Sequence, residues 1–550
     1  MSNVLSIGKS ALNAAQIGIA TVGHNISNAS TPGYNRQVVV QAAAQAQNFG
    51  YGYVGQGTNV VGIQRVFNDT LSKQVINATA TSNASGAYYS NISQVNGVLS
   101  DSTAGLNPVI TSFFSAVSAA AANPSDTATR QTLISSAQSM VNRFNAVNNQ
   151  LDQMRESINT QITSSVDAIN SYSTQIATLN DTITKAVNST GNTPNDLMDQ
   201  RDQLVAKLSE QIKTTVIKQD DGSYNVFAGT GMPLVVGTQQ YSLYTRASDT
   251  DPTRVEVAYG NPASPKILSV DTVSGGTLGG VLQFRSETLD SVQNQVGQLA
   301  MTLASQFNAQ QTQGYDLNGT LGTNLFSIGG PTAISSAYNT DPTKTASASI
   351  LDPSLLTNSD YTVKYNSGMY TITRVNDKSI MWQGTALPAT IDGMEVNVNT
   401  SSPTEGDSYL IKPTQYAAGK LSMAFTDVDK LALAGSATTG PNDNENGLKL
   451  AALQTGANVR VAGSNTNRTY TQAFAQMVSA VGTKTNELSI TSKADAMALE
   501  NATSAMQSES GVNLDEEATD LLRYQQAYQA AGKMMQIASQ LFEVLLQMGQ

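Results

Sequence analysis

The sequence contains no cysteine. Disulfides, thiolate metal sites and a cysteine nucleophile are therefore excluded. Histidine occurs once, at His24, and tryptophan once, at Trp382. A zinc protease of the His-Glu-x-x-His type is excluded with it. Charge is scarce, at 13% of residues, and Ala, Ser, Thr, Asn and Gln dominate instead. The net charge is -11 (30 Lys+Arg minus 41 Asp+Glu), and no basic run appears. That balance argues against nucleic acid and anionic membranes as partners. No segment approaches the apolar length of a membrane span. The first residues carry only Lys9 and no uninterrupted apolar core, so a cleaved secretory signal is not expected there. Export, if it occurs, is expected to need another route.

What is present is a pair of matched ends. Ser2 to Tyr34 and Leu514 to Met548 each read as an amphipathic helix with a seven-residue apolar repeat. The opening repeat is Leu5, Leu12, Ile19 and Ile26, with Gly8, Ala15 and Val22 as its second position. The closing repeat is Leu521, Tyr528, Met535 and Phe542, with Tyr524, Ala531, Ala538 and Leu545. Such a repeat marks a coiled-coil seam. The economical partner for each helix is the other end of the chain. Further lines remain beside each seam: Val4, Ala11 and Gly18 in front, Met534, Leu541 and Met548 behind. They point to neighbouring subunits; two end helices docked on one ordinary core are the alternative that periodicity leaves open.

Between the ends, 550 residues are too many for one core. Strands are expected at Asn35 to Val40 and Val60 to Val66, around a flexible Gly50–Gly57 loop. Helices follow from about Asn68. Pro124-Ser125-Asp126 opens a helix that could run to Val187, about 90 Å at 1.5 Å per residue. Rods and fibres need that length more than compact proteins do. A helix from Asp196 to Ile212 leads to strands flanking Asp220-Asp221-Gly222-Ser223, a hairpin signal. Leu278 to Gln313 returns to helix. From Gly329-Gly330-Pro331 to about Pro413, short strands and turns read as a separate β domain. Helix resumes near Leu448, and Ser510-Gly511-Val512-Asn513 precedes the last helix, whose first turn holds Asp515, Glu516 and Glu517. Acids there suit the positive end of the helix dipole.

The expected fold is mainly α with inserted β domains, in an elongated multidomain subunit. Its N- and C-terminal helices pair as a coiled coil, followed by a long helical bundle and a distal β domain. The expected divisions are 1–36 with 512–550, a rod of 37–212 with 276–328 and 414–511, a β-rich insert at 213–275, and a β domain at 329–413.

Three stretches imitate chemistry. Gly50-x-Gly52-x-x-Gly55 fits the dinucleotide fingerprint but is followed by a strand, where the fingerprint needs a helix. Gly8-Lys9-Ser10 lacks the earlier glycine of a phosphate loop. Asn442 to Leu453 resembles a calcium loop that begins with Asn and ends without an acid. His24, one turn before the helix end, reads as a solvated or capping residue. No acid pair stands out for glycosidase-type chemistry. Neither cofactor nor metal is expected, nor any catalytic residue.

The run His24-Asn25-Ile26-Ser27-Asn28-Ala29-Ser30-Thr31-Pro32-Gly33-Tyr34 resembles the signature of bacterial flagellar rod, hook and hook-associated proteins. Ser510 to Glu517, then Tyr524 to Ala530, is similar to their C-terminal motif. Within that family, Asn123-Pro124, Arg130-Gln131, Phe144-Asn145 and Asp196 to Leu204 resemble the helical region of the member at the hook–filament junction. The resemblance implies a structural, non-enzymatic flagellar protein that assembles with itself into a tube. It also implies neighbours (hook protein on one side, the next hook-associated protein on the other), export by the flagellar type III apparatus, and an export chaperone on the C-terminal helix. A hook-type axial protein is the nearest alternative; a secreted hydrolase or adhesin belongs to a different class.

Overall fold

The computed structural model describes residues 2–48, 50, 52–101, 105–261, 264–341, 343–399, 403–461 and 466–548. The side chains of 2, 3, 264, 545, 546 and 548 lie outside this description. Ten α-helices are present among the described residues. They are α1 (Ser2–Asn28), α2 (Asp69–Leu99), α3 (Leu106–Ala122), α4 (Thr127–Thr190), α5 (Asn195–Gln211), α6 (Gly276–Phe284), α7 (Asp290–Gln311), α8 (Glu445–Ala452), α9 (Tyr470–Ser510) and α10 (Leu514–Met548).

The long helices start where the sequence supplies caps. Asn68 accepts from the backbone N–H of Thr70 and Leu71, and Asp126 from those of Ala128 and Thr129. Thr469 and Gln472 form a capping box at α9. Helix α4 runs for 64 residues and ends on Gly191 in the left-handed conformation. At 1.5 Å per residue it is about 96 Å long. One stripe of it is buried throughout, from Leu133 and Phe144 to Ile176 and Ile183. Helix α2 packs along α9 and α6, and α3 and α5 lie on α4. Phe326 meets Phe113 and Phe307 edge to face, and those two rings tilt against each other, where α3, α7 and strand Phe326–Ser327 converge; Phe114 stacks on Tyr470 of α9.

The expected helix Leu278–Gln313 is not continuous. A π turn at Arg285–Leu289 separates α6 from α7. One extra residue in that turn accompanies the inward aim of the Arg285 side chain, which donates to the Val255 carbonyl and reaches Glu256.

The strands of 213–275 form two antiparallel sheets on α4. One has four strands in chain order, Thr214–Lys218 to Gln239–Gln240. The other orders Ser264–Ile267, Val255–Asn261 and Leu243–Ala247. Val226, Leu234 and Val257 join the same core as the helices. This insert therefore shares the core of the rod and lacks one of its own.

The distal strands build a second core. Five pair in the order Thr332–Ser335, Ser408–Lys412, Tyr361–Asn366, Met369–Arg374 and Ile380–Gly384. Three more pair as Thr345–Ile350, Met394–Asn399 and Ala389–Ile391. Tyr361, Val363, Ile372, Val396 and Ile411 fill the space between them, with Met301 of α7 at the base.

Candidate functional site

Helices α1 and α10 lie antiparallel. Gly8 lies against Met535 and Ala531, Gly18 against Tyr524, and Asn25 against Glu517. The line of closest contact is made of small residues. Gly8, Ala15, Gly18 and Val22 are buried on α1, and Ala531 and Ala538 on α10. A Cβ at Gly18 would lie 2.5 Å from the Tyr524 ring, and one at Gly8 would lie 2.8 Å from Met535. The two backbones approach because these positions have no side chain.

The large residues of the expected seam sit on its flanks. Leu12, Ile19, Leu521, Tyr524 and Met535 are half-buried. Leu5, Ile26, Tyr528 and Phe542 are exposed, Phe542 to 52%. The Leu545 side chain lies outside the described residues. Of the side lines, Gly18 is inside the contact, Ala11 is half-buried, and Val4, Met534 and Leu541 are exposed.

A polar node clasps the deep end of the pair. The chain leaves α1 through a turn closed by the Tyr34 N–H donating to the Thr31 carbonyl at 3.2 Å. Pro32 and Gly33 hold its middle positions, and Gly33 has φ +77°. That is the pattern of a type II turn, where Pro presets the first angle and only Gly tolerates the second without strain. The turn brings Tyr34 back over α1, and its hydroxyl donates to Asn25 Oδ1 at 2.7 Å.

Asn25 is fully buried and uses its whole amide. Its Oδ1 also accepts from the Gln37 backbone N–H, and its Nδ2 donates to the Gln37 carbonyl and to Glu517 Oε2, each at 2.9 Å. Glu517 is buried in the first turn of α10, and Arg36 Nε donates to its other oxygen at 2.7 Å. Arg36 also pairs with Glu516, and its backbone N–H donates to the Ser510 carbonyl at the end of α9. Burial opposes the Arg36 charge, but Glu517 and Glu516 outweigh it and raise its pKa. Burial, then Asp196, Asp199 and Glu517, holds the Tyr34 hydroxyl above its ordinary range, so it stays a donor.

The node reaches the rod through α5. Asp199 accepts from the Asn35 backbone and side chain, and Arg65 bridges Asp199 and Asp202. Burial pushes the Asp202 carboxyl up despite Arg65. Asp196 accepts from Gln37, and Gln203 donates to the Pro32 carbonyl. His24 lies 3.4 Å from Asp196, with both side chains well exposed, a contact worth little. Asn28 donates back to the His24 carbonyl and accepts from Thr31. Residues Asn25, Asn28, Thr31, Pro32, Gly33 and Tyr34 thus occupy one corner. Sequence reasoning left out their partners Arg36, Gln37, Arg65, Asp199, Asp202 and Glu517. The signals were the acidic first turn of α10, the Asp-rich start of α5, and the family resemblance of Asp196 to Leu204 and of Ser510 to Glu517.

The chemical imitators resolve into local structure. Asp443 accepts from the backbone N–H of Gly435 and from that of Glu445, the first residue of α8. Gly52 to Gln56 belong to a small hairpin whose strands are Gln47–Asn48 and Tyr53–Val54; of that loop, residue 51 lies outside the described residues. Among the described residues no group of three His, Asp or Glu is placed to hold a metal ion, and no helix is long and apolar enough to cross a membrane.

Comparison with known proteins matches four stretches of the chain. Residues 5–35 match a profile described as flagella basal body rod protein, and 503–548 the C-terminal profile of flagellar basal body rod FlgEFG protein. Residues 92–326 match the flagellar hook-associated protein FlgK helical domain, and 334–413 the D2-like domain of flagellar hook-associated protein 1. Flagellar hook-associated protein 1 of Salmonella typhimurium is 37% identical, over 99% of this chain and all of that one. That of Escherichia coli K12 is 34% identical over the same shares, and that of Bacillus subtilis is 26% identical over 98% and 97%. The solved structure of the flagellar hook junction protein FlgK from Burkholderia pseudomallei covers 79% of this chain and all of its own, with TM-score 0.73 and 28% identity.

Paired ends, a rod between them and these matches define an axial structural protein of the bacterial flagellum. The chain belongs to the flagellar hook-associated protein 1 family.

Proposed function

We propose that this chain polymerises as the short zone between hook and filament, with its paired end helices turned toward the channel of the tube. In this reading its neighbours are hook protein on one side and the next hook-associated protein on the other. The chain reaches that place through the flagellar type III export apparatus, with α10 covered beforehand by an export chaperone.

The observation that carries this is the apolar face left over after α1 and α10 have paired. Leu522, Ile537, Leu541, Phe542 and Val544 are each more than half exposed on α10. Covering the exposed half of such a side chain contributes on the order of 1 kcal/mol. Five per subunit, repeated around a ring, support a polymer while leaving the single chain soluble only if this face is covered. Hook protein and the next hook-associated protein are the surfaces a junction must cover it with at its two ends.

Because the chain has no cysteine, a single cysteine introduced at the exposed Tyr338 of the distal domain takes one dye. On live cells the expected image is one focus per flagellum, where the filament leaves the hook. Labelling along the filament or along the hook would overturn the assignment.

A further inference from the structure

The rod and the distal domain meet over a charged layer in which Lys412, Asp251, Arg155 and Arg285 are buried and the other groups, Asp360 among them, are half-buried. From the distal side come Asp360, just before strand Tyr361–Asn366, and Lys412, at the end of strand Ser408–Lys412. Helix α4 supplies Asp152 and Arg155, and α7 supplies Asp290. The insert supplies Asp251, Arg254 and Glu256, and the π turn Arg285. The layer therefore holds four cations and five carboxylates, one negative charge in excess.

The pairing shows where that excess falls. Lys412 and Asp251 form an ion pair with both side chains buried. Asp290 accepts from Arg155 at 2.8 Å and from Arg254 at 2.7 Å. Arg254 and Arg285 share Glu256. Asp152 is held by the amides of Asn148 and Gln293. Asp360 has one side-chain partner, the Asn294 amide, which donates to it at 3.2 Å.

The joint around it is close-fitting. A Cβ on Gly297 of α7 would lie 1.8 Å from the Thr414 carbonyl, so the chain leaving the distal domain lies directly on the helix. Among the described residues, buried atoms here without a hydrogen-bond partner are the acceptor Asn294 Oδ1, Thr414 Oγ1, Gln415 Oε1 and the donor Arg285 Nε. An ionised Asp360 can only accept, so it cannot serve the orphan acceptor on Asn294. A protonated one can donate, and it removes the surplus charge.

We propose that Asp360 is a proton-operated latch between the rod and the distal β domain. Protonated, it closes the joint; ionised, it loosens it. Burial first, and the Asp290 charge against the pull of Lys412 and Arg155, pushes its pKa up to about 6. The sign follows from linkage. The closed form has the raised pKa and the opened form the ordinary one near 3.9, so closure is favoured at low pH and loses that support as pH rises through about 6. Between pH 8 and pH 5 the closed-to-open ratio rises about tenfold by the same linkage. Burial also pushes the Asp152 carboxyl up, so it needs its own control. Asp251 is held down by Lys412 against its burial and stays ionised through this window.

Hydrogen exchange of the full chain reads the opening directly, after correction for the pH dependence of chemical exchange. In segments 353–360 and 412–418, protection is expected to fall about tenfold from pH 5 to pH 8, while the interior of α4 stays constant. Asp360→Asn, which keeps the acceptor for Asn294 without the charge, is expected to hold the pH 5 protection at both pH values. Asp152→Asn is expected to keep the wild-type response. A flat wild-type profile overturns the proposal. So does an undiminished pH response in Asp360→Asn, or its disappearance in Asp152→Asn.

Discussion

Asn25→Asp changes one NH2 group of the clasp into an oxygen and leaves the shape alone. The native Nδ2 donates to the Gln37 carbonyl and to Glu517, both at 2.9 Å. With two oxygens, an ionised carboxylate at this position would lose both bonds and leave both acceptors buried without that donor, at about 1–3 kcal/mol each. A second carboxylate about 3 Å from Glu517 adds roughly 5 kcal/mol at an effective dielectric constant near 20. Protonating the introduced carboxyl is the easier route. Holding a carboxyl protonated at pH 7 costs about 4 kcal/mol from its ordinary pKa, and the bond to Gln37 is still lost. The net cost is therefore about 5–7 kcal/mol, taking the smaller of the two routes. The contact it guards is made largely of Gly and Ala, which bury little apolar area. We expect the variant to lose hydrogen-exchange protection over residues 2–28 and 514–548 at pH 7, with residues 127–190 unchanged. Glu517 raises the folded-state pKa of the introduced carboxyl, so the lost stability returns as pH falls, by about 1.4 kcal/mol per unit between pH 7 and pH 5. Asn25→Ala is expected to lose the same protection without recovering it in acid. Native protection of 514–548 in Asn25→Asp at pH 7 would refute the idea that this node holds the chain ends together.

Two residues of α10 separate folding from assembly. Phe542→Asp alters an exposed side chain, so monomer stability is expected to stay within about 0.5 kcal/mol while incorporation at the hook tip is lost; normal motility of an exported Phe542→Asp protein would argue against the outer face as the polymer contact. Met535→Asp instead faces Gly8, and hydrogen exchange is expected to show α1 and α10 undocked in the monomer as well. In the rod, the buried Arg130 guanidinium donates to the carbonyls of Pro124, Val428 and Leu431. Arg130→Met keeps the stem and removes all three donors, so urea unfolding followed by far-UV circular dichroism is expected to show a loss of about 3 kcal/mol; an unchanged midpoint would mean that other donors replace the guanidinium.

The elements were legible where local chemistry marks them. Asp126 opens its helix as a cap, the apolar stripe of α4 sustains its length, and Asp221-Gly222 closes a hairpin. The face of the end-helix contact was legible only in its second line, Gly8, Ala15 and Val22 with Ala531 and Ala538, which is buried, and not in its large residues. Periodicity shows that a stripe exists, and size suggests that Leu5, Ile26 and Phe542 fill it. In an intrachain pair the backbones come closest where side chains are smallest, so Gly8, Ala15 and Gly18 take the contact. The clasp was half-legible: Thr31 to Tyr34 announced a turn, but its partners stand far off in sequence, with Asp199 164 residues from Asn35 and Glu517 492 from Asn25. No pattern in a single sequence joins such positions. The π turn was silent too, because Arg285–Leu289 has the composition of ordinary helix.

The distal domain enters the rod at Thr332 and leaves at Lys412, and these two residues are direct partners on neighbouring antiparallel strands. Its two connections therefore stand about 5 Å apart, the spacing of adjacent strands. A segment attached this way behaves as a cassette. Eighty residues, eight or none can hang from the same two points, as long as the replacement also settles the charges of the joint beneath it. Insertions and deletions in the outer domain are then invisible to the clasp, where the small residues of α1 leave almost no room for change. The outer surface can then change at one rate and the clasped ends at another.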